Sequence, residues 1–526
     1  MSDLLRMTGM YSGMDTESIV SQLVKTKSTK VTNLKNEQKK LEWKQTAWQD
    51  LNSKIYNMYS KTLSNLRLTS AYSKKSTVSS DSTKATVVAS EGAVNGTQTL
   101  KVNKLAKSGY LTGAKLDGKT STTTGTDGKD VTKVVNWETT DKLSEIDSNL
   151  TGKTISITTG SGTDAKTTDI EITADMTIND LVAKFKDAGV NASFDTTNQR
   201  FFINSTGTGS AKNFTLTSDD STALASLGLD PNTTYTDING SKNSCVKIEG
   251  QDAEIVLNGA TFVSDSNTFS INGLTINTLG VTDEEISLVT STDYDGIYNT
   301  IKDFLTEYND LINEMDKLYN ADSARKYDML TNDEKDSMTD DEVEQWEDKI
   351  KSALLRKDNS LYNVMNTLTT TMMDGYYENN LSDKQKKNMS ASEISAWYKE
   401  NGGKKHYLSD YGIGTLSYFE AQDNEHHAYH INGDADDEFT STKEDKLKAA
   451  IAEDPEGTAN FFATLCKTLY SKLDETMSES TEYSSIYKVY NDKQLKKDYK
   501  DYTTKISDAE DELNDYEDRW YNKFSK

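Results

Sequence analysis

At 526 residues the chain is too long for a single core, so about three or four domains are expected. A net charge of −25 excludes nucleic acid as the main partner, because neutralising phosphates needs a basic face. No run of about 18 apolar residues is present, which excludes a membrane-spanning helix.

Met1–Met10 includes Asp3 and has neither an apolar run nor a basic start, so it does not read as a cleaved secretory signal. Residues 1–14 have no periodicity and read as a flexible arm. Asp15 then suits an N-cap, with Glu17 in the first turn. From there to about Leu68 one heptad register holds Val20, Val24, Val31, Leu34, Leu41, Trp48, Ile55, Tyr59 and Leu66. Lys27, Gln38, Gln45 and Asn52 fill seam positions of the same register, and polar residues there fix register or partner choice. The stripe serves either an intramolecular core or a subunit contact.

From about Thr77 the period changes to two. Thr86–Ala89 and Thr97–Val102 read as a hairpin around Asn95-Gly96. Residues 109–135 read as loop or weak strand. Thr154–Thr158 and Asp169–Thr173 are strands, followed by a short helix that buries Ile178, Leu181, Val182 and Phe185. Strands over Ala192–Phe194, Arg200–Asn204 and Asn213–Thr217 come next. A further run covers Val246–Glu249, Glu254–Leu257, Thr268–Ile271 and Leu274–Leu279, with Asn258-Gly259 and Asn272-Gly273 as turns.

Helix returns near Thr292, with Ile297, Ile301, Phe304, Tyr308, Leu311, Met315 and Leu318 on one stripe. Leu330, Lys335, Met338, Glu342 and Trp346 recur 51 residues later as Leu381, Lys386, Met389, Glu393 and Trp397. Both copies carry a capping box, Thr339 to Glu342 and Ser390 to Glu393. Either a duplicated helical hairpin or chance similarity accounts for this. The last helix is expected over about Ile486–Phe524, with Leu495, Tyr499, Tyr502, Ile506, Ala509, Leu513, Tyr516 and Trp520 on its seam. The two terminal seams are the natural first partners of each other, giving a rod that leaves, builds a β structure and returns. Charge supports this pairing. Residues 1–75 carry a net +7, and residues 508–518 hold seven acidic side chains and no basic one. Lys39, Lys40 and Lys44 are expected to face that acidic block.

Chemistry finds little footing. Cys245 and Cys466 lie far apart and give no disulfide framework or metal spacing. His426, His427 and His430, near Asp434, Asp436 and Asp437, offer donors for Zn²⁺ or Ni²⁺. The Gly433 turn and the lack of a nearby Cys favour a solvated loop. Phosphate-binding, dinucleotide, hydrolase and zinc-protease motifs are absent, and no nucleophile is paired with a base, so no enzyme activity and no cofactor is expected. The chain has only two prolines, where average usage of about 5% predicts roughly 26. So few prolines leave few slow isomerisation steps, which would suit a chain that must travel unfolded and fold on arrival.

The segment Gly13-Met14-Asp15-Thr16-Glu17-Ser18-Ile19-Val20-Ser21-Gln22-Leu23-Val24 closely resembles the N-terminal signature of bacterial flagellar filament capping proteins. Lys44 to Trp48, Gly92 to Ala106 and the Thr177–Ser205 hairpin region are similar to that family as well. So are Asn258-Gly259, Gly273-Leu274-Thr275, and the stretch with Glu342, Trp346, Leu355 and Arg356. Two departures stand out. Relatives continue past Trp520 and Phe524 into a Met/Gln/Ser-rich tail, so the expectation is a chain lacking part of its foot. Residues 375–406, which hold the second repeat copy, look like extra material.

The resemblance implies an α+β multidomain fold: a helical-bundle or coiled-coil leg from both termini carrying two nested, mostly antiparallel β domains. Its expected parts are an arm over 1–14, a leg over 15–72 plus 292–526, a first β domain over 73–110 plus 245–291, and a distal β domain over 111–244. It implies a cap on the growing filament tip that promotes folding and insertion of exported flagellin, without covalent chemistry. The filament contact would be Met7, Gly9, Gly13, Met14, Asp15, Ile19, Val20 and Leu23. The leg seam would be Leu34, Leu41, Trp48 and Ile55 against Tyr502, Ile506, Leu513 and Trp520. Implied partners are further copies in a closed ring of about five, flagellin and the filament tip, and the flagellar type III export machinery with a chaperone. Host mucin, through the outermost β domain, is a further implied partner. The implied location is extracellular, at the flagellar tip. The competing expectations are a hook–filament junction or flagellin-like structural protein, and a surface adhesin that binds glycans.

Overall fold

A computed structural model of the chain describes residues 16–124, 129–236, 242–381, 383–478 and 481–524. Met7, Gly9, Gly13, Met14 and Asp15 lie outside the described residues. So do the side chains of Ile19, Val20 and Leu23.

The chain divides into two compact units, Met1–Lys74 with Asp293–Lys526, and Lys75–Thr292. The helices that matter below are, in chain order, α1 (Thr16–Asn57), α2 (Ile178–Asp187), α3 (Tyr294–Tyr319), α4 (Asp340–Ser352), α5 (Asn359–Met373), α6 (Ala391–Asn401), α7 (Lys446–Glu453), α8 (Pro455–Ser478) and α9 (Asp492–Phe524).

The first unit has one continuous core. Trp48, Leu51, Ile55 and Met58 from the α1 segment meet Ile301, Phe304, Tyr308 and Ile312 of α3, Leu361, Val364 and Leu368 of α5, and Phe462, Leu465 and Leu469 of α8. Along the α3 stripe Ile297, Ile301, Phe304, Tyr308, Leu311 and Met315 are buried as the heptads predict, and Leu318 is half-buried. The N-terminal helix departs from a uniform rod. After Asn57 it widens into a π-helical turn over Met58–Leu63, then closes with Ser64–Leu66. That turn brings Met58, Tyr59 and Leu63 into the core together.

The second unit holds two cores and antiparallel sheets. Its strands of three residues or more are β1 (Lys75–Ser79), β2 (Ala85–Ala89), β3 (Gly96–Lys104), β4 (Ser108–Thr112), β5 (Lys119–Thr124), β6 (Asp130–Val135), β7 (Thr154–Thr159), β8 (Lys166–Glu171), β9 (Val190–Asp195), β10 (Arg200–Thr208), β11 (Phe214–Ser218), β12 (Val246–Ile248), β13 (Ala253–Leu257), β14 (Ala260–Ser264), β15 (Thr268–Ile271), β16 (Leu274–Thr278) and β17 (Ile286–Thr292).

One core lies within the five-stranded sheet β1-β17-β3-β13-β14 and the three-stranded sheet β15-β16-β2, around Leu100, Val102, Ile255, Phe269, Ile276 and Leu288. The other lies among β12-β4-β10-β9, β11-β7-β8 and α2, around Ile155, Ile178, Leu181, Phe185, Phe201 and Phe214. Thr177 and Asp180 form a reciprocal capping box that starts α2, and its four expected core residues are buried.

One expectation in this unit needs correction. β2 and β3 do not form a hairpin: β2 pairs with β16, and β3 pairs with β17 and β13. Residues 90–95 instead cross between sheets, with Ser90 N–H donating to the Gly273 carbonyl at 2.7 Å. Within residues 109–135, read as loop or weak strand, β5 and β6 pair antiparallel, Lys119 opposite Val135 and Thr124 opposite Asp130, so the strand alternative holds there.

Candidate functional site

The terminal helices α1 and α9 pack against each other. Their pairing is antiparallel, because partner numbers fall along α9 as they rise along α1. Lys27 and Lys30 reach Glu512 Oε2 at 3.4 and 3.1 Å, Lys35 reaches Glu510 at 2.6 Å, and Gln38 Nε2 donates to Thr503 Oγ1 at 2.7 Å. Further along, Trp48 stacks on Tyr490, with ring centres 4.9 Å apart. Asn52 Nδ2 donates to the Tyr487 carbonyl at 2.9 Å, and Val489 N–H donates to Asn52 Oδ1 at 3.0 Å.

This register corrects the expected ion pairs. Lys39 pairs with Glu42, Lys40 with Glu37 and Lys44 with Asp358, all away from the acidic block. Lys27, Lys30 and Lys35 meet that block instead. Glu512 carries a carboxyl held below its ordinary range, chiefly by the hydrogen bond from Lys30 and its charge.

Dry and wet positions alternate along the seam, with Val24 and Val31 buried near one end of α1. Trp48 and Ile55 are buried, as are Ile506 and Ala509. Leu34, Leu41, Tyr502, Leu513 and Trp520 are half-buried, and Tyr499 is exposed. The polar rungs at Lys27, Gln38 and Asn52 are each satisfied by a group from the α9 side. Such rungs select one register and give up apolar contact for it.

α9 starts later than expected, at Asp492. Residues 484–491 are irregular because side chains claim their backbone. Asn52 takes Tyr487 and Val489. The Asp492 carboxylate accepts from Ser484 N–H at 2.7 Å, from the Ser484 hydroxyl, and from Lys496 at 3.1 Å. Burial would raise the Asp492 pKa, and these donors outweigh it and hold the carboxyl low.

The helical signature folds beside this pair. Glu342 closes its capping box with Thr339, Trp346 Nε1 donates to the Asp328 carbonyl at 2.7 Å, Leu355 is buried, and Arg356 Nε donates to the Ala321 carbonyl at 2.8 Å. Lys351 of α4 lies over the Trp43 ring of α1, 5.1 Å from its centre. The second repeat copy also forms its box, Ser390 with Glu393, at the start of α6. Trp397 meets Tyr398 edge-on, whereas Trp346 meets Tyr327.

The three clustered histidines separate. His426 stacks on Tyr418, and buried His430 holds Asp437 through Nδ1 at 2.7 Å. Among the described residues no group of three or more His, Cys, Asp or Glu is arranged to hold a metal ion.

Helices from the N- and C-terminal parts of the chain form one unit, a largely antiparallel β unit is inserted between them in the sequence, and this defines a multidomain α+β protein. The chain belongs to the flagellar hook-associated protein 2 family. The family's N-terminal domain matches residues 12–109 and its C-terminal domain matches residues 250–526. The flagellar hook-associated protein 2 of Halalkalibacterium halodurans is 26% identical over 479 residues, covering 87% of this chain and 80% of that one. The A-type flagellar hook-associated protein 2 of Pseudomonas aeruginosa is 27% identical over 340 residues, covering 59% of this chain and 63% of that one. Among solved structures, the D1-D2-D3 domains of the flagellar cap protein FliD from Escherichia coli align with a TM-score of 0.49 at 20% identity, covering 85% of this chain and 99% of that one.

Proposed function

We propose that this chain caps the growing tip of a bacterial flagellar filament and promotes folding and insertion of exported flagellin. The observation that carries the reading is the pairing of α1 with α9 through satisfied polar rungs, in a chain of the hook-associated protein 2 family. Polar rungs suit a leg that keeps one register while its outer surface makes and breaks contacts. In this reading residues 1–14 and the start of α1, with Ile19, Val20 and Leu23, touch the filament. The second unit forms the plate of the cap as two nested β domains. Copies of the chain close into a ring of about five. The subunit leaves the cell by the flagellar export route and works outside it, without catalysis. Neither the junction nor the adhesin reading is favoured by the family match.

Complementation tests the proposal. A strain that lacks its own cap protein and sheds monomeric flagellin should regain filaments when it expresses the full chain with its cognate flagellin. Continued shedding, with the chain exported and folded, overturns the reading. Removing residues 1–14 should leave the thermal unfolding of the purified chain unchanged and abolish filament recovery.

A further inference from the structure

A cavity of about 450 Å³ opens in the helical unit between α3, the end of α5 and the irregular segments 407–415 and 426–429. The two segments are tied together where Ile413–Gly414 pairs with His430–Ile431. The cavity reaches the core: Tyr308, Met372, Leu408, Ile413 and Tyr429 line it, and each of them is buried. Met373, 72% exposed, lines its solvent side. Among the described residues no Lys, Arg, Asp or Glu lines it, in a chain of which 27% is charged.

Tyr308 is the residue that makes this more than a packing gap. It takes a heptad position on α3 between Phe304 and Leu311, where the core asks only for an apolar side chain. Its ring meets Tyr429 edge-on, with centres 5.8 Å apart. Asn309 fixes that neighbour: Asn309 Nδ2 donates to the Tyr429 carbonyl at 2.8 Å, and Tyr429 N–H donates to Asn309 Oδ1 at 2.8 Å. The Tyr308 hydroxyl, in contrast, is sealed from solvent and has no hydrogen-bond partner. Thr369 does not answer it, because its own hydroxyl bonds back to the Met365 carbonyl at 2.9 Å. Burial pushes the Tyr308 phenol far above its ordinary range, so it stays a protonated donor. A buried donor left unpaired costs the fold stability that phenylalanine at this position would not forfeit. Met372 and Met373, on the α5 side, have unbranched thioethers that adjust to a guest.

We propose that this cavity binds a small neutral apolar molecule carrying a carbonyl acceptor, which takes the hydrogen bond that Tyr308 otherwise leaves unmade. Walls without charge select against ions, whose lost hydration they would not replace. The single unanswered donor selects an acceptor over a plain hydrocarbon. The site is independent of the capping reading.

The test uses the full chain with acetophenone and isopropylbenzene, which are close in size and shape and differ in the carbonyl, with binding followed by ligand-observed NMR titration. Acetophenone should bind about tenfold more tightly. Tyr308→Phe should bring acetophenone to the level of the hydrocarbon and, in the unliganded chain, raise the melting temperature. Ser409→Trp, at an exposed position on the cavity wall, should weaken both probes alike, and it locates the site even if the Tyr308 variant misfolds. Absent binding, equal binding of the two probes, or a preference for the ketone that survives Tyr308→Phe overturns the proposal. So does a melting temperature that falls in Tyr308→Phe, because the hydroxyl would then be satisfied without a ligand. Binding of both probes that Ser409→Trp leaves unchanged overturns the location.

Discussion

Trp48 and Asn52 lie one turn apart on α1 and hold the same stretch, residues 487–490, by opposite means. Trp48 is 2% exposed and stacks on Tyr490, so Trp48→Ala should cost about 3–5 kcal/mol of stability. A change below about 1 kcal/mol in denaturant unfolding would contradict its place in the core. Asn52 donates to one backbone group and accepts from another, and Asn52→Ala should cost about 1–3 kcal/mol because Val489 N–H is left buried and unpaired. Asp492 adds a pH dependence. Its folded pKa is lowered, so its contribution is present above the ordinary carboxylate value of about 3.9 and is lost as pH falls through the folded value. Asp492→Asn should therefore lower the melting temperature at neutral pH, with the difference closing below about pH 4. A difference that persists at pH 2 would show that packing, not charge, sets its effect. Both α1 positions are legible in the sequence as seam residues. Their partners are not, because Ser484–Asn491 is held by Asn52 and Asp492 through bonds that leave no periodic trace.

The same Asn-Gly dipeptide reads correctly twice and wrongly once. At Asn258-Gly259 and Asn272-Gly273 both residues have positive φ, from 46° to 80°, and each joins adjacent paired strands. At Asn95-Gly96 the six residues from Ser90 to Asn95 separate β2 from β3, too many for a two-residue turn, and the strands belong to different sheets. Which strand pairs with which is decided by the burial of Leu100, Ile276 and Leu288, and no local pattern reports that. The helix pair shows the same split. Its seam positions follow from heptads, while its antiparallel register had to place the acidic block beside Lys27 to Lys35 and away from Lys39 to Lys44. Gln38 tests the role of the polar rungs. Gln38→Leu replaces a rung by apolar contact and should raise stability by about 1 kcal/mol, read as a higher denaturant midpoint at unchanged slope. A lower midpoint would show that the bond to Thr503 outweighs the burial of leucine.

Across the whole chain the change from heptad to alternating pattern near Thr77, and back near Thr292, marks where one unit is inserted in the sequence of the other. The structure shows what makes this insertion sterically simple. Asp293 N–H donates to the Lys74 carbonyl at 3.0 Å, and Lys75 sits opposite Thr292 in the β1–β17 ladder. The chain thus leaves and re-enters the helical unit at neighbouring points, and each unit has its own core. A short loop can replace an insertion whose ends lie this close, because closing a short loop costs little entropy. Replacing Lys75–Thr292 with a few Gly and Ser residues should leave a helical protein that unfolds in one cooperative step. The excised segment Lys75–Thr292 should fold alone with a β-type circular dichroism spectrum, its own ends paired through β1 and β17. If the helical remainder unfolds without a transition, then Trp48, Tyr308 and Phe462 do not make a self-sufficient core. If only the excised segment fails, the β1–β17 ladder depends on the helices that anchor its ends, and the two units form one folding unit despite their separate cores.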